Sequence, residues 1–209
     1  PTITAKKELG RVSGTGAAMG YVGTIIALFI AGAILSTLGW ETKQGVEAIF
    51  AATALLFFFF SLPIFFLREK KKSTGDFSQS IHDVIRTLKN FSQHKKTARF
   101  MLAMFFFTNA IFAVIIFLFP FAQQLNIGVK TFFVIYTLQA ISAAIGSAFT
   151  GRLVDKYGPK KILQAAAIAW IFVIATLLLL PSVFTFLILG LLGGAALGAI
   201  WTAQRPQLI

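Results

Sequence analysis

Few side chains in this 209-residue chain could do chemistry: it holds seven Asp and Glu, two His and no Cys. Without cysteine there is no disulfide framework and no thiolate to act as nucleophile or metal ligand. His82 and His94 share one polar stretch. Two groups of residues stand out. The first is uncharged: Thr108 and Asn109, then Tyr136, Gln139 and Ser142, the last three at three-residue spacing, all inside long apolar runs. Such hydroxyls and amides either contact a polar solute or tie neighbouring helices together. Asn109 and Gln139 are the leading candidates for a solute cavity, with Thr108 and Tyr136 beside them. The second group is GRLVDKYGPKK, residues 151–161, where Asp155 sits among Arg152, Lys156, Lys160 and Lys161. No catalytic triad, metal-ligand cluster or phosphate-cradling loop occurs, since Gly14-Thr15-Gly16 and Gly193-Gly194 do not follow strands. The expectation is therefore a protein that is not an enzyme and needs no cofactor or metal.

The elements that carry these groups follow from composition. Hydrophobic residues make up 57% and charged residues 12% of the chain, with a mean hydropathy of +0.81, which excludes a disordered chain and argues against a water-soluble domain. Six segments, residues 16–38, 46–67, 100–121, 131–150, 162–180 and 183–204, approach the ~20 residues that a spanning helix needs. A closed barrel would need short alternating strands, and the unbroken run from Leu55 to Leu67 is not one. The fold class expected is all-α, a polytopic bundle of six transmembrane helices.

The net charge of +12 reads as topology rather than as nucleic-acid binding. Of the 19 Lys and Arg, 17 fall before the first span, between the second and third, between the fourth and fifth, or after the sixth; only Lys43 and Lys130 fall on the other side. Both termini and the long loop are thus expected in the cytoplasm. That loop, Arg68 to Arg99, begins with Arg68, Lys70, Lys71 and Lys72, and in its later part Ile81, Val84, Ile85, Leu88 and Phe91 keep helical spacing. This predicts an amphipathic helix over about 79–92, lying on the inner leaflet.

Small residues predict close helix packing. Gly16, Gly20, Gly23, Ala27 and Ala31 form a seam in the first span, with Ser13 as a helix cap, and Gly190, Gly194 and Gly198 recur every four residues in the sixth. The second span is the opposite, with Phe57 to Phe60 consecutive and suited to lipid. No Asp, Glu, Lys, Arg or His lies deep in any span, so the chain offers no proton relay or counter-ion at membrane depth.

GRLVDKYGPKK resembles the signature cytoplasmic loop of the major facilitator superfamily, a G-x-L-x-D-basic-x-G pattern ending in basic residues. Gly151, Leu153, Asp155, Lys156, Gly158, Lys160 and Lys161 match it, while Pro159 replaces the usual basic residue and suits the first turn of a helix. SGTGAAMGYVG (13–23) and FFFTNA (105–110) are similar to stretches in the branch that holds the yeast vacuolar amino-acid effluxer linked to autophagy and its bacterial relatives; Ala110 stands where that branch often has an acidic residue.

The resemblance implies helices five to ten of a twelve-helix transporter, with the rest of the protein supplying the missing helices; the absence of Met before Pro1 is read the same way. Residues 1–67 would then be the last two helices of the N-terminal half, 68–99 the basic linker, and 100–209 the first four helices of the C-terminal half. The first two spans should contact the later four less than those contact one another. The function implied is alternating-access transport of a small polar solute such as an amino acid, coupled to a proton or another ion, across a bacterial inner membrane or, alternatively, a vacuolar one. A six-span scaffold or receptor and a lipid flippase of the same superfamily are the alternatives. The loop's carboxylate is expected at the start of the first span, around Ser13, Gly14 and Gly16, forming a cytoplasmic gate together with Gly151, Arg152, Gly158, Lys160 and Lys161.

Overall fold

The computed structural model describes residues 8–66 and 95–208, so the helix expected over 79–92, the linker's first basic cluster, Lys6 and Lys7 lie outside the described residues. Six long helices make up the rest: α1 (Leu9–Leu38), α2 (Lys43–Phe66), α3 (Lys95–Gln124), α4 (Val129–Tyr157), α5 (Pro159–Leu179) and α6 (Val183–Gln204), followed by a short 3-10 turn, Pro206–Leu208. All six are long and apolar enough to cross a membrane, and no strand occurs among the described residues. The fold class is all-α.

The helices overrun the apolar segments at the basic ends. α1 begins at Leu9 rather than near residue 16, and α4 continues to Tyr157 rather than ending near 150. Hydropathy marks only the part of a helix that matches the bilayer core, whereas the backbone continues wherever its end groups find partners. Ser13 is accordingly a buried residue inside α1 and not its cap; the cap position is Glu8, which makes no side-chain capping bond. The signature segment is likewise mostly helix. Its one break is Gly158, at φ 86°, a conformation that Cβ-bearing residues rarely adopt. The Gly158 amide closes α4 on the Val154 carbonyl at 2.9 Å, and Pro159 opens α5 in the first turn, where its missing N–H costs nothing.

The chain divides into two units, Pro1–Thr53 with Phe119–Ile209, and Ala54–Leu118. In the first, α4 is central and packs about equally on α1 and on α6; α5 lies along α6, and α1 also touches α6. The first two spans are expected to contact the later four less than those contact one another; α1 nonetheless packs on α4 as extensively as α6 does. The reason is steric: α1 and α4 meet through residues without bulk. A methyl group on Gly14 would lie 2.7 Å from the Ser147 carbonyl oxygen, and one on Gly151 2.8 Å from that of Gly10. At the far end of the pair Trp40 and Phe133 meet edge to face, with centroids 5.1 Å apart.

α4 and α6 cross as closely. A methyl on Gly194 would run into the Gln139 carbonyl, one on Gly198 into that of Ala143, and one on Gly146 would lie 2.8 Å from the Ala195 backbone. α5 buries Leu163, Ala166, Trp170, Val173 and Leu177, a three- and four-residue stripe, and leaves Ile168, Ile171 and Phe172 exposed. In the second unit, Phe57 to Phe60 are all exposed.

Candidate functional site

The basic end of the first unit brings the last turn of α4 against the first turn of α1. An α-helix starts with four N–H groups that have no partner within the helix, and they carry the positive end of its dipole. In α1 two of these are satisfied from another helix. Asp155 Oδ1 accepts from the Gly10 amide at 2.7 Å and Oδ2 accepts from the Arg11 amide at 3.0 Å. The carboxylate is half-buried and serves α1 as a cap in trans. Room for it exists because Gly10 has no side chain: a methyl there would lie 2.6 Å from both Asp155 Oδ1 and the Gly151 carbonyl, and 2.8 Å from Val154 Cβ.

This differs in detail from the expected pairing with Ser13 to Gly16. Gly10 is the partner that the sequence reading misses, although its four-residue spacing from Gly14 carries the signal. Arg11 takes part through its amide. Gly14 is buried against Ser147 and Gly151, while among the described residues Gly16 has only the Arg205 guanidinium nearby, 4.0 Å from where its methyl would sit. Arg152, Lys156, Lys160 and Lys161 are all exposed, and the Lys156 ammonium lies 5.1 Å from the centre of the Tyr157 ring.

The expected small-residue seams divide in the same way. Gly194 and Gly198 sit at tight backbone crossings, and Gly190 has an ordinary contact at 3.8 Å with Ile135. Gly20 and Gly23 face open space here, since a methyl on either would have no atom of the described residues within 4 Å. Within α1 the packed glycines are Gly10 and Gly14 near its start and Gly32 near its end, where a methyl would lie 3.2 Å from the Phe133 ring.

The candidate cavity residues are spread more widely. Gln139 is buried, its Cγ beneath Gly194 of α6. Tyr136 is half-buried and stacks on Phe132 with centroids 6.0 Å apart. Ser142 donates to the Leu191 carbonyl at 2.7 Å and so ties α4 to α6. Thr108 and Asn109 belong to the second unit; Asn109 is exposed, and its amide donates back to the Phe105 carbonyl of its own helix at 2.7 Å. The sequence reading also misses Tyr21 of α1, which has a buried hydroxyl with no hydrogen-bond partner among the described residues. A tyrosine in an otherwise small-residue run is the only sign of it.

Six helices long and apolar enough to cross a membrane, two of them tied at one end by a carboxylate, define a multi-pass membrane protein. The family model of the Major Facilitator Superfamily matches residues 1–205, and the chain belongs to that superfamily. It is 23% identical over 212 residues to a protein of Bacillus subtilis (strain 168) described as the uncharacterized MFS-type transporter YxiO; the match covers 97% of this chain and 50% of that protein. The chain thus spans about half the length of the curated relative it matches. No solved structure matches it.

Proposed function

We propose that the chain is the central part of a secondary active transporter that moves a small polar solute, an amino acid being the first class to test, by alternating access across a bacterial inner membrane. Family membership supports transport, and the polar groups of the spans support the solute class, because they are hydroxyls and amides rather than charges. Tyr21 and Tyr136 add two phenols on facing helices, of which the Tyr21 hydroxyl is unpaired among the described residues. The spans would be helices five to ten of twelve, with the basic end in the cytoplasm.

The observation that carries the mechanism is the pair of hydrogen bonds from Gly10 and Arg11 to Asp155. In this reading they are the closed form of a cytoplasmic gate. Rocking α1 away from α4 would separate a carboxylate from two amides and the dipole behind them, and a difference of this size biases a two-state equilibrium without locking it. The test uses the full-length protein in proteoliposomes, with uptake and efflux of a panel of free amino acids measured with and without a proton gradient. Saturable transport of panel members that responds to the gradient is the expected result. Movement of lipid analogues without any free solute would favour a flippase, and no transport of either kind would favour a scaffold.

A further inference from the structure

Each carbonyl in an α-helix is normally satisfied by the N–H four residues on. For Thr202, near the end of α6, that residue is Pro206, which has no N–H. Thr202 is 0% exposed, so water cannot replace the lost donor. The donor comes from a different helix: the Ser13 hydroxyl of α1 donates to the Thr202 carbonyl at 2.8 Å in a buried hydrogen bond. The Thr202 hydroxyl in turn donates to the Ser147 carbonyl of α4 at 3.4 Å, and the Ser147 hydroxyl, also fully buried, donates to the Ala143 carbonyl at 2.8 Å. On α1, Ser13 lies within one turn of the Gly10 and Arg11 amides held by Asp155.

We propose that Ser13 caps the C-terminal end of α6 in trans, so that the first turns of α1 form a two-way clasp, receiving one cap from Asp155 and giving another to Thr202. The proposal rests on the gate reading of Asp155 and adds α6 to the elements that the gate controls. Withdrawal of α1 would leave unpaired groups on both sides, the amides of Gly10 and Arg11 on one and the Thr202 carbonyl on the other. Pro206 is then part of the device although it touches no solute. By removing the carbonyl's own partner it makes α6 depend on α1, and the closed state gains what the open state lacks.

The experiment uses the full-length protein with any cysteine outside these residues replaced, since the 209 residues contain none. Val154→Cys reports on the α1–α4 seam, where Val154 is 3% exposed and faces Gly10. Val173→Cys, on the buried stripe of α5, is the control for general loosening. Labelling by a water-soluble maleimide is followed in reconstituted vesicles. Ser13→Ala should raise labelling at position 154 about fivefold, the factor a net buried hydrogen bond is worth, and leave position 173 unchanged. Pro206→Ala restores an N–H and should also raise labelling at 154. Combined with Ser13→Ala it should add little, because both changes act on one carbonyl.

Asp155→Asn separates the two ideas. If it raises labelling while Ser13→Ala and Pro206→Ala do not, the clasp is wrong and the Asp155 gate stands; if none of the three does, both fail. Additive effects of the two clasp variants, or equal rises at positions 154 and 173, would also overturn the clasp. Should Ser13→Ala fail to fold, Pro206→Ala alone decides, since unchanged labelling in that variant contradicts the proposal.

Discussion

A carboxylate beside a helix start contributes about 0.3–1 kcal/mol when exposed and up to ~2 when partly buried, and Asp155 is half-buried with both oxygens engaged. Asp155→Asn keeps the shape and an acceptor but removes the charge. It should speed amide exchange at the start of α1 by about two- to thirtyfold, the factor corresponding to that range, as read by mass spectrometry on peptides covering residues 9–14. Gly10→Ala should do at least as much although no polar atom changes, because its methyl has no room beside Oδ1 and the Gly151 carbonyl; wild-type exchange in that variant would show that α1 is not held as described. Asn109→Ala tests the other kind of site. Asn109 is exposed and among the described residues bonds only within its own helix, so the loss in stability should stay within about 0.5 kcal/mol. A clear loss of transport at preserved stability marks a solute contact, whereas unchanged transport removes Asn109 from the solute path.

Between elements, the α4–α6 crossing makes a sharper prediction. Gly194→Ala forces a methyl into the Gln139 carbonyl, and Gly190→Ala meets only Ile135 at 3.8 Å. The first should cost about 1–3 kcal/mol, as overpacking does, and the second should be neutral or slightly stabilising, both read from thermal unfolding of the purified full-length protein. Equal effects would mean that the two helices cross less tightly than described. The same elements show how far the sequence reaches. Six helices were legible because apolar runs of membrane length have hardly any other fold available, and Asp155 was legible through its glycine and basic neighbours. The start of α1 was not, since residues 9–15 are polar enough to read as loop and become helix because α4 caps them. Nor was the difference between Gly20, which meets nothing among the described residues, and Gly10, which meets Asp155: both read as small residues at helical spacing, and only the crossing geometry tells them apart. Gln139 illustrates the same limit, a polar residue in an apolar run whose burial under Gly194 no periodicity reveals.

For the whole molecule, gating requires α1 and α4 to be a separable pair. They are held by cap bonds and glycine contacts at the basic end and by the Trp40–Phe133 contact at the other. A transporter with a midplane solute site must open one such end at a time. The most direct measurement is a pulsed-EPR distance between spin labels at Val12 of α1 and Tyr157 of α4, both exposed at the basic end, in the full-length protein reconstituted in lipid. Two distance populations are expected, a short one for the closed gate and a longer one that grows in Asp155→Asn. A single short distance that neither this substitution nor a change of membrane gradient alters would contradict the gate and the alternating-access mechanism built on it.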